Sequence, residues 1–183
     1  MLETERLILR NYKESDLDDY FEYVSMEKVG PMCGWPPYND KEKAFERLKL
    51  EITKKYQFAI VLKENNKVIG SLELMDVKEE RYKGVSIEDS AKEIGFLLSE
   101  HYWGQGIMTE ALKAVMRFAF LELNVPVIYI SHVRANIGSG KVQEKCGFEV
   151  FNEVPNYRVW IDGTNTDLVE RKMTRDQYLD KQL

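Results

Sequence analysis

The spacing of apolar residues separates a strand from a helix in the first part of the chain. Residues 4–10 alternate, with Leu7 and Leu9 on the same side, and this two-residue period predicts a strand. A helical spacing follows, with Ser15 as the expected N-cap, and its apolar positions are Leu17, Tyr20, Phe21 and Val24. A strand followed by a helix is therefore expected here.

Residues 30–40, GPMCGWPPYND, interrupt this periodicity, because three prolines and two glycines fall within them. They predict a rigid aromatic loop, after which Asn39 or Asp40 can cap a second helix. The apolar positions of that helix are Ala44, Leu48 and Ile52. Beyond it, the strand-like segments FAIVL and VIGSLELM flank the polar residues ENNK, a pattern typical of an antiparallel hairpin.

A polar segment at residues 78–93 is predicted to form a surface loop, and it leads into a strand, EIGFLLS, at residues 93–99. Successive side chains of a strand point to opposite faces. One face of this strand is therefore expected to carry Glu93, Gly95 and Leu97, and the other to carry Ile94, Phe96 and Leu98.

The second half of the chain begins with a long amphipathic helix. Its apolar positions are Ile107, Ala111, Val115, Phe118 and Ala119, and Asn124 is expected to end it. A buried strand is predicted at residues 126–133. A short helix is predicted after it, and Gly147 is expected to end that helix.

A final pair of strands is predicted to pass through Trp160 and Leu168 to Met173. Strands on both sides of the long helix indicate a mixed α/β sheet. The chain shows no internal repeat and no linker long enough to divide it, so residues 1–183 are expected to form a single domain.

Composition narrows the class of protein. Of 183 residues, 44% are hydrophobic, which is enough for a sizeable core. The formal charge of −5 is spread along the chain without a block of Lys and Arg, which argues against nucleic acid and anionic membranes as main partners. No apolar run approaches the ~20 residues that span a bilayer, and no signal peptide is evident, so a cytoplasmic protein is expected. Cys33 and Cys146 lack the number or spacing of a disulfide framework or metal site, so reduced thiols and no metal are expected.

Gly104 and Gly106 stand immediately before the long helix, although glycine is a weak helix former. The first turn of a helix has unpartnered N–H groups and the positive end of the helix dipole, and glycines at its entry let a phosphate approach them. A tight strand-to-helix turn explains the same spacing without a ligand. Dinucleotide and ATP motifs are excluded, because GQGIMT lacks a third glycine and no GxxxxGKS or GxxxxGKT sequence occurs.

Three ordered segments are specific in combination: TERLILR at residues 4–10, EIGFLLSEHYWGQGIMTEAL at 93–112 and NIGSGKVQEKCGF at 136–148. Together they resemble the GCN5-related N-acetyltransferase (GNAT) family, in particular its ribosomal-protein-alanine acetyltransferase branch, over essentially the whole chain. The resemblance implies an α/β (α+β) fold, in which helices flank a mixed, mostly antiparallel sheet with splayed central strands. It also implies an enzyme that acetylates an amine with acetyl-CoA as cosubstrate.

The resemblance assigns acetyl-CoA to particular residues. It places the pyrophosphate on the loop and helix start formed by Trp103, Gly104, Gln105, Gly106, Ile107, Met108 and Thr109. It places the pantetheine along Phe96, Leu97 and Leu98, with further contacts from Asn136 and Ser139. Trp103 and Met108 depart from the family pattern, and Met108, which replaces Ala or Gly, is expected to crowd the phosphates.

Acetyl transfer needs a neutral amine, donors for the developing oxyanion and a proton for the leaving thiolate. By resemblance, Glu93 is the candidate general base, directly or through water, and a strand-edge carboxylate in a salt bridge is the alternative. Ser139 is the candidate proton donor by the same resemblance. The alternative is structural, with Asn136 capping a helix and Ser139 inside its first turn.

Other groups have secondary roles in this prediction. Backbone N–H groups near Leu97 and Leu98 are the candidate oxyanion donors, because a splayed strand leaves some N–H groups without hydrogen bonds to the neighbouring strand. Gly95 would permit a bulge at this point. His132 is a second candidate base. Cys146 is expected to be a packed small residue and not an acylated nucleophile, which favours direct transfer in a ternary complex.

The acceptor is predicted from amine chemistry. A free α-amine has a reference pKa of ~7.7 to 8.0, whereas a lysine side chain has ~10.4, so an α-amine needs less help from a base. A protein or peptide N-terminus is therefore the favoured acceptor, and a small amine such as a polyamine, amino acid or antibiotic is the alternative. A non-catalytic acetyl-CoA-binding module is a further alternative. The protein is expected to be a monomer or a homodimer. Residues 35–38 are expected either to shape the acceptor pocket or to act as a packed connector.

Overall fold

One eight-stranded sheet organises the chain in a computed structural model that describes residues 1–77, 82, 87–159 and 165–181. The strands are β1 (Leu2–Glu3), β2 (Leu7–Arg10), β3 (Gln57–Leu62), β4 (Val68–Asp76), β5 (Lys92–Leu98), β6 (Val127–Val133), β7 (Glu149–Val159) and β8 (Asn165–Thr174). They lie in the order β1-β2-β3-β4-β5-β6-β8-β7. The pair β5 and β6 is parallel, and the other described pairs are antiparallel.

Helices cover both faces of this sheet. They are α1 (Leu17–Val24), α2 (Val29–Met32), α3 (Lys41–Thr53), α4 (Ile107–Arg117), α5 (Ile137–Lys145) and α6 (Arg175–Asp180). Short 3₁₀ turns lie at Glu14–Asp16 and Glu100–Tyr102, and a π-helical turn at Phe118–Glu122 extends α4. Among the described residues, no helix is long and apolar enough to cross a membrane.

The alternation of the strands divides the core into two layers. On one face, the apolar stripe of α4 packs against β3 residues such as Phe58 and Ile60. On the other face, α1 and α3 pack against Ala59 and Val61 of the same strand. Burial of these apolar side chains is the main favourable contribution to folding, and it fixes the register because a one-residue slip would invert both faces.

The central gap of the sheet lies between β5 and β6. These strands pair only over Lys92–Ile94 and Ile128–Ile130, and they separate beyond that point. The predicted mixed sheet with splayed central strands is thus confirmed. The bulge that Gly95 would permit is absent from the β4–β5 ladder, which runs without a register shift from Leu98 to Lys92. The gap therefore comes from divergence of two strands and not from a bulge.

Details near the N-terminal end differ from the prediction. The strand starts at Leu7 and not at Thr4, because residues 4–6 form a turn in which Thr4 N–H donates to Leu7 O at 3.0 Å. Ser15 lies within a 3₁₀ turn and is not the N-cap of α1, a position that Asp16 occupies. The Asp16 carboxylate instead accepts hydrogen bonds from the Arg10 guanidinium at 2.7 and 2.9 Å.

The predicted loop at residues 30–40 contains a helical turn, α2, that the sequence pattern did not reveal. Proline is tolerated in the first turn of a helix because that turn needs no N–H donor, and Pro31 is the third residue of α2. Asp40 caps α3 as predicted, because its side chain accepts hydrogen bonds from two backbone N–H groups of the first turn. Part of the predicted loop at 78–93, and Trp160, lie outside the described residues.

The predicted ends of α4 and α5 are confirmed. Asn124 has a φ of 53° just beyond the π-helical turn. Gly147 has a φ of 84°, which an L side chain rarely adopts, and it follows α5 directly. Its N–H donates to Glu144 O, and Phe148 N–H donates to Gln143 O, so two terminal carbonyls of α5 are satisfied.

Candidate active site

Two adjoining cavities open where β5 leaves β6. We call the first the sheet cavity; its volume is about 460 Å³, and it lies against β3, β4, β5 and the helices α1 and α3. We call the second the loop cavity; its volume is about 390 Å³, and it lies between the glycine loop (residues 103–106), the start of α4 and α5. The residues that line both cavities form their junction: Met32, Cys33, Phe96, Leu97, Asn136 and Ser139.

The glycine loop can accept an anionic group at the start of α4. Gly104 and Gly106 have φ values of 75° and 77°, a left-handed conformation that favours glycine, and Gly106 is the N-cap residue of α4. Because Gly106 has no side chain, no side-chain oxygen occupies the first N–H groups of the helix. The first N–H groups of α4 and the positive end of its helix dipole therefore both point toward the loop cavity.

Arg6 ties the glycine loop to the other end of the chain. Its Nη1 donates to Gln105 O at 3.1 Å, and its guanidinium contacts the Glu110 carboxylate on α4 at 2.7 Å. Thr4 Oγ1 donates to the same carboxylate. The TERLILR segment therefore supports the glycine loop. This contact joins residues 99 positions apart, so no local sequence pattern predicts it.

Two lysines add positive charge to the loop cavity. Lys141 and Lys145 are one helical turn apart on α5, and both line the cavity opposite the glycine loop. Guanidinium and ammonium groups are the usual partners of phosphate oxygens. The sequence analysis missed these residues, although their spacing of four within a predicted helix was available as a signal.

The two residues that depart from the family pattern are both accommodated. Met108 is 4% exposed and belongs to the core under α4, but it is also among the residues that line the loop cavity, so its effect on the phosphates stays a prediction. Its side chain is buried because position 108 lies on the apolar stripe of the helix. Trp103 donates from Nε1 to Leu98 O at 2.8 Å, and this bond holds the indole beside the loop cavity.

The end of β5 presents backbone groups to the junction. Ser99 N–H donates to Ile69 O on the β4 side, and N–H groups of alternate residues point the same way. The N–H of Leu97 is therefore directed to β4, whereas those of Phe96 and Leu98 point toward the gap that β6 leaves. Of the two N–H groups predicted as oxyanion donors, only that of Leu98 has the required direction.

Polar side chains form the floor of the sheet cavity. The residues on this face of the sheet are Gln57 on β3, Ser71 and Glu73 on β4, Gly95 on β5 and Ser131 on β6. The wall opposite contains Trp35 and Tyr38, whose rings lie 5.6 Å apart at 72°. The loop at 35–38 therefore lines the cavity, as one of the two alternatives for it predicted.

Charged groups of the sheet cavity form one connected network. Arg47 contacts Glu51 at 2.6 Å, Lys54 contacts Glu51 at 2.8 Å, and Lys54 also contacts Glu73 at 2.8 Å. Glu51 and Glu73 line the cavity, and Glu73 lies directly across the β4–β5 ladder from Gly95. Neither carboxylate was predicted from the sequence, because nothing in the local pattern connects α3 with β4.

Glu93, the predicted base, lies on the same face as Glu73 but two residues beyond Gly95 along β5. It is 3% exposed, its neighbours across the ladders are Met75 and Tyr129, and it is not among the described residues that line either cavity. Two residues of a strand span about 7 Å. Its role as general base stays a prediction, which requires a water to reach the sheet cavity.

Ser139 is held in place from two directions. Asn136 Oδ1 accepts from the backbone N–H of Ser139 at 3.0 Å, so Asn136 caps α5, and Asn136 Nδ2 donates to Met32 O at 3.3 Å. Gln143 is fully buried and donates from Nε2 to Ser139 Oγ at 3.1 Å. Because Oγ accepts this bond, its own proton is available to a group at the junction.

His132 belongs to the same network. Its Nδ1 lies 3.0 Å from Gln143 Oε1, while Gln143 Nε2 also donates to Ser131 O at 3.3 Å. With the amide oriented this way, Nδ1 carries the proton and Nε2 is the unprotonated nitrogen. Burial is the main cause that lowers the pKa of His132, so the ring is neutral at pH 7.

Cys146 is a packed residue, as predicted. It is 8% exposed, its thiol contacts Thr109 O at 3.8 Å, and burial raises its pKa to about 11. A thiol needs a lowered pKa to act as a nucleophile at neutral pH. In the described part of the chain, no group of three or more His, Cys, Asp or Glu side chains could hold a metal ion.

A protein-family model matches most of the chain. It is the acetyltransferase (GNAT) domain, and it matches residues 6–149, which include Arg6, the glycine loop and the junction of the two cavities. The chain belongs to the GNAT acetyltransferase family. An uncharacterized N-acetyltransferase, p20, of Bacillus licheniformis is 27% identical over 153 residues, which cover 81% of this chain and 82% of that protein.

Solved structures of GNAT proteins share the fold. The acetyltransferase (GNAT family) from Bacillus anthracis superimposes with a TM-score of 0.83 at 19% identity, over 96% of this chain and 98% of that one. The ribosomal-protein-S5-alanine acetyltransferase from Vibrio fischeri gives 0.74 at 22%, over 96% and 97%. A spermidine N-acetyltransferase SpeG variant from Vibrio cholerae gives 0.73 at 17%, over 98% and 100%. At these identities the likeness shows the fold alone, so it does not choose between acceptors.

Family membership confirms the predicted enzyme class, an acetyl-CoA-dependent N-acetyltransferase. The residues of this GNAT protein fit acetyl-CoA. The loop cavity offers open helix N–H groups and two lysines for phosphates, and Phe96 and Leu98 give an apolar wall that leads to the junction. A fit of this kind requires both features, because acetyl-CoA joins a polyanionic end to a long neutral arm.

Proposed function

We propose that the chain transfers the acetyl group of acetyl-CoA to the α-amine of a protein or peptide N-terminus, by direct attack in a ternary complex. The observation that supports this proposal is the junction of the two cavities at Phe96, Leu97 and Ser139. The loop cavity holds acetyl-CoA, and the sheet cavity holds the acceptor. The thioester and the amine therefore meet where the cavities join.

Each part of acetyl-CoA has a partner in this proposal. The pyrophosphate lies on the glycine loop and the N-terminus of α4, where Gln105, Ile107 and Thr109 belong to the same segment. The pantetheine follows Phe96, Leu97 and Leu98, and Asn136 contributes at the start of α5. Acetyl-CoA supplies an activated acyl group, and the chain supplies its orientation and the proton transfers.

The transfer moves one acetyl group and one proton. The amine nitrogen forms a bond with the carbonyl carbon, the carbon–sulfur bond breaks, and the thiolate takes a proton from Ser139 Oγ. The N–H of Leu98 points to the side on which an oxyanion develops. The amine gives its proton to a base, for which Glu73 lines the sheet cavity and Glu93 lies farther along β5. The base then releases this proton to water and Ser139 Oγ takes one back from water, so the net transfer is one proton from the amine to the CoA sulfur.

The charge of the sheet cavity suits an acceptor with at most one positive charge. Its charged lining residues carry two negative charges and one positive charge, and Lys54 bonds to both carboxylates. An α-amine has a reference pKa of ~7.7 to 8.0, so a large fraction is neutral near pH 7.5 without a strong base. The peptide backbone next to the α-amine is neutral, and it can form hydrogen bonds with the polar side chains of the cavity floor.

Release of CoA thiol from acetyl-CoA tests this proposal. The acceptors are tripeptides with N-terminal Ala, Ser or Met, the same peptides with a blocked N-terminus, and a panel of amino acids, aminoglycosides and polyamines. We expect release with free peptides and none with blocked peptides. Release with small amines alone would contradict the peptide acceptor, and acetyl-CoA binding without release for any amine would contradict catalysis.

A small-molecule amine is the second candidate acceptor. The T-shaped pair Trp35 and Tyr38, together with Glu51 and Glu73, supports it, because aromatic rings and carboxylates are the groups that bind compact ammonium ions. The same panel distinguishes the two candidates. If small amines react, substitution of Trp35 by Ala should change their KM more than that of acetyl-CoA.

A further inference from the structure

Lys54 places a positive charge between two carboxylates of the sheet cavity. Its Nζ lies 2.8 Å from Glu51 Oε2 and 2.8 Å from Glu73 Oε2. The Glu51 side chain is 7% exposed and that of Glu73 is 24% exposed, so neither carboxylate is fully screened by solvent. Lys54 itself is not among the described residues that line the cavity. It acts on the cavity through charge and not through contact with the acceptor.

The network has a definite charge balance. Arg47, Glu51 and Glu73 are the charged lining residues in the described part of the chain, and together they carry a net charge of −1. Lys54 brings the network to zero. Burial acts to lower the pKa of the Lys54 ammonium, but hydrogen bonds to Glu51 and Glu73 outweigh it and raise the pKa, so Lys54 is charged at pH 7.

A neutral network discriminates between acceptors by their charge. Each additional positive charge on an acceptor must leave water to enter the cavity, and only a surplus of negative charge compensates for that loss. A peptide α-amine brings at most one positive charge, whereas spermidine brings three at neutral pH. Without Lys54, the carboxylates would attract additional ammonium groups.

We propose that Lys54 determines acceptor specificity: together with Arg47 it neutralises Glu51 and Glu73, so the sheet cavity accepts acceptors with at most a single positive charge and excludes polyamines. This inference rests on the proposed use of the sheet cavity as the acceptor site. A purely structural link between the end of α3 and β4 is the competing explanation. That explanation predicts no dependence on the charge of the acceptor.

The test compares acceptors that differ in charge. Values of kcat/KM are measured for a neutral-side-chain tripeptide, butylamine, putrescine and spermidine with the wild type, Lys54→Gln and Lys54→Met. Lys54→Arg keeps the charge, and Lys49→Gln removes an exposed lysine of α3 that, in the described part of the chain, forms an ion pair with Glu46 and lies over the Phe45 ring, outside both cavities. Both act as controls.

We expect Lys54→Gln to raise the spermidine-to-butylamine ratio of kcat/KM by roughly three- to tenfold for each extra charge, with the larger effect at low salt. Lys54→Arg and Lys49→Gln should keep the wild-type ratio. The ratio of two acceptors is compared because a change in Glu73 or in stability would alter kcat/KM for all acceptors to the same extent. Calorimetric binding of spermine to each variant gives a second readout that does not need turnover, and thermal unfolding verifies the fold.

An unchanged ratio together with unchanged spermine affinity would overturn the proposal, and so would a wild type that prefers spermidine. A change in Lys54→Arg as large as in Lys54→Gln would also overturn it, because charge would not be the cause. A different result would contradict the proposed peptide acceptor without contradicting the role of Lys54: acetylation of butylamine but not of the tripeptide by the wild type. In that case the ratio still decides the role of Lys54.

Discussion

Gln143 donates a hydrogen bond to Ser139 Oγ from one turn farther along α5, at 3.1 Å, and no solvent reaches the Gln143 side chain. In this bond the Ser139 hydroxyl oxygen is the acceptor, so the hydroxyl proton can point in another direction. Since Ser139 lies where both cavities meet, that direction matters for protonating a thiolate. In the proposed mechanism, this hydrogen bond orients the proton donor.

Substitution of Ser139 by Ala should lower kcat by about 100-fold with little change in the KM for acetyl-CoA, as expected for a lost proton donor. Gln143→Leu should lower kcat by about tenfold, because the hydroxyl loses its orientation. In the double variant the loss should equal that of Ser139→Ala alone. Steady-state kinetics of the four proteins completes the cycle, and losses that multiply would mean that Gln143 acts independently of Ser139.

The general base can be assigned from the pH dependence of kcat/KM in Glu73→Gln and Glu93→Gln. A base is needed most when the amine is protonated, so its loss should lower the rate more at pH 6.5 than at pH 9. We expect the pH-dependent loss in Glu73→Gln, because Glu73 lines the sheet cavity. A pH-dependent loss confined to Glu93→Gln would assign the base to Glu93 through water.

Lys141 and Lys145 should strengthen binding of acetyl-CoA by charge. The double variant Lys141→Gln, Lys145→Gln should bind acetyl-CoA roughly tenfold more weakly at low salt, and the difference should fade near 0.5 M salt as the charges are screened. Lys113→Gln is the matched control, because Lys113 is exposed on α4 and lies outside both cavities. Calorimetry measures the affinities. Equal affinity of the double variant and the wild type at low salt would remove the lysines from the site.

His132 should make the protein less stable in mild acid. Burial is the main cause that lowers its pKa in the folded state, so the unfolded chain binds a proton more readily. The free energy of unfolding should therefore fall as the pH decreases through about 6.5, the pKa of an unperturbed histidine. Urea unfolding of the wild type and His132→Gln at pH 8 and pH 5.5 measures the effect, and an equal loss in both proteins would contradict it.

Local patterns were sufficient to predict much of the fold and most of the segments that line the loop cavity. The glycine loop, the α5 cap and the strand through Phe96 are contiguous segments whose period and turn chemistry are visible in the sequence. The acceptor side was not predictable in the same way. Glu51, Lys54 and Glu73 meet only after α3 packs against the sheet, and no local pattern records a contact between helix and strand.

The burial of Met108 was likewise not visible in the local pattern. Position 108 was interpreted as part of a phosphate loop, but α4 already begins at Ile107, so its side chain follows the helical period into the core. Element boundaries are uncertain by one or two residues even in structures. Near a helix start, such a shift decides whether a side chain faces ligand or core.

The contact from Arg6 to Gln105 O and Glu110 has a consequence for biosynthesis and for protein engineering. A ribosome produces residue 6 long before residue 105, so the glycine loop, the proposed phosphate site, cannot reach its final support until α4 has emerged. Acetyl-CoA is thus expected to bind late in folding and to stabilise only the completed chain. A purification tag that replaces the first six residues would loosen a binding site that lies almost 100 positions away in sequence.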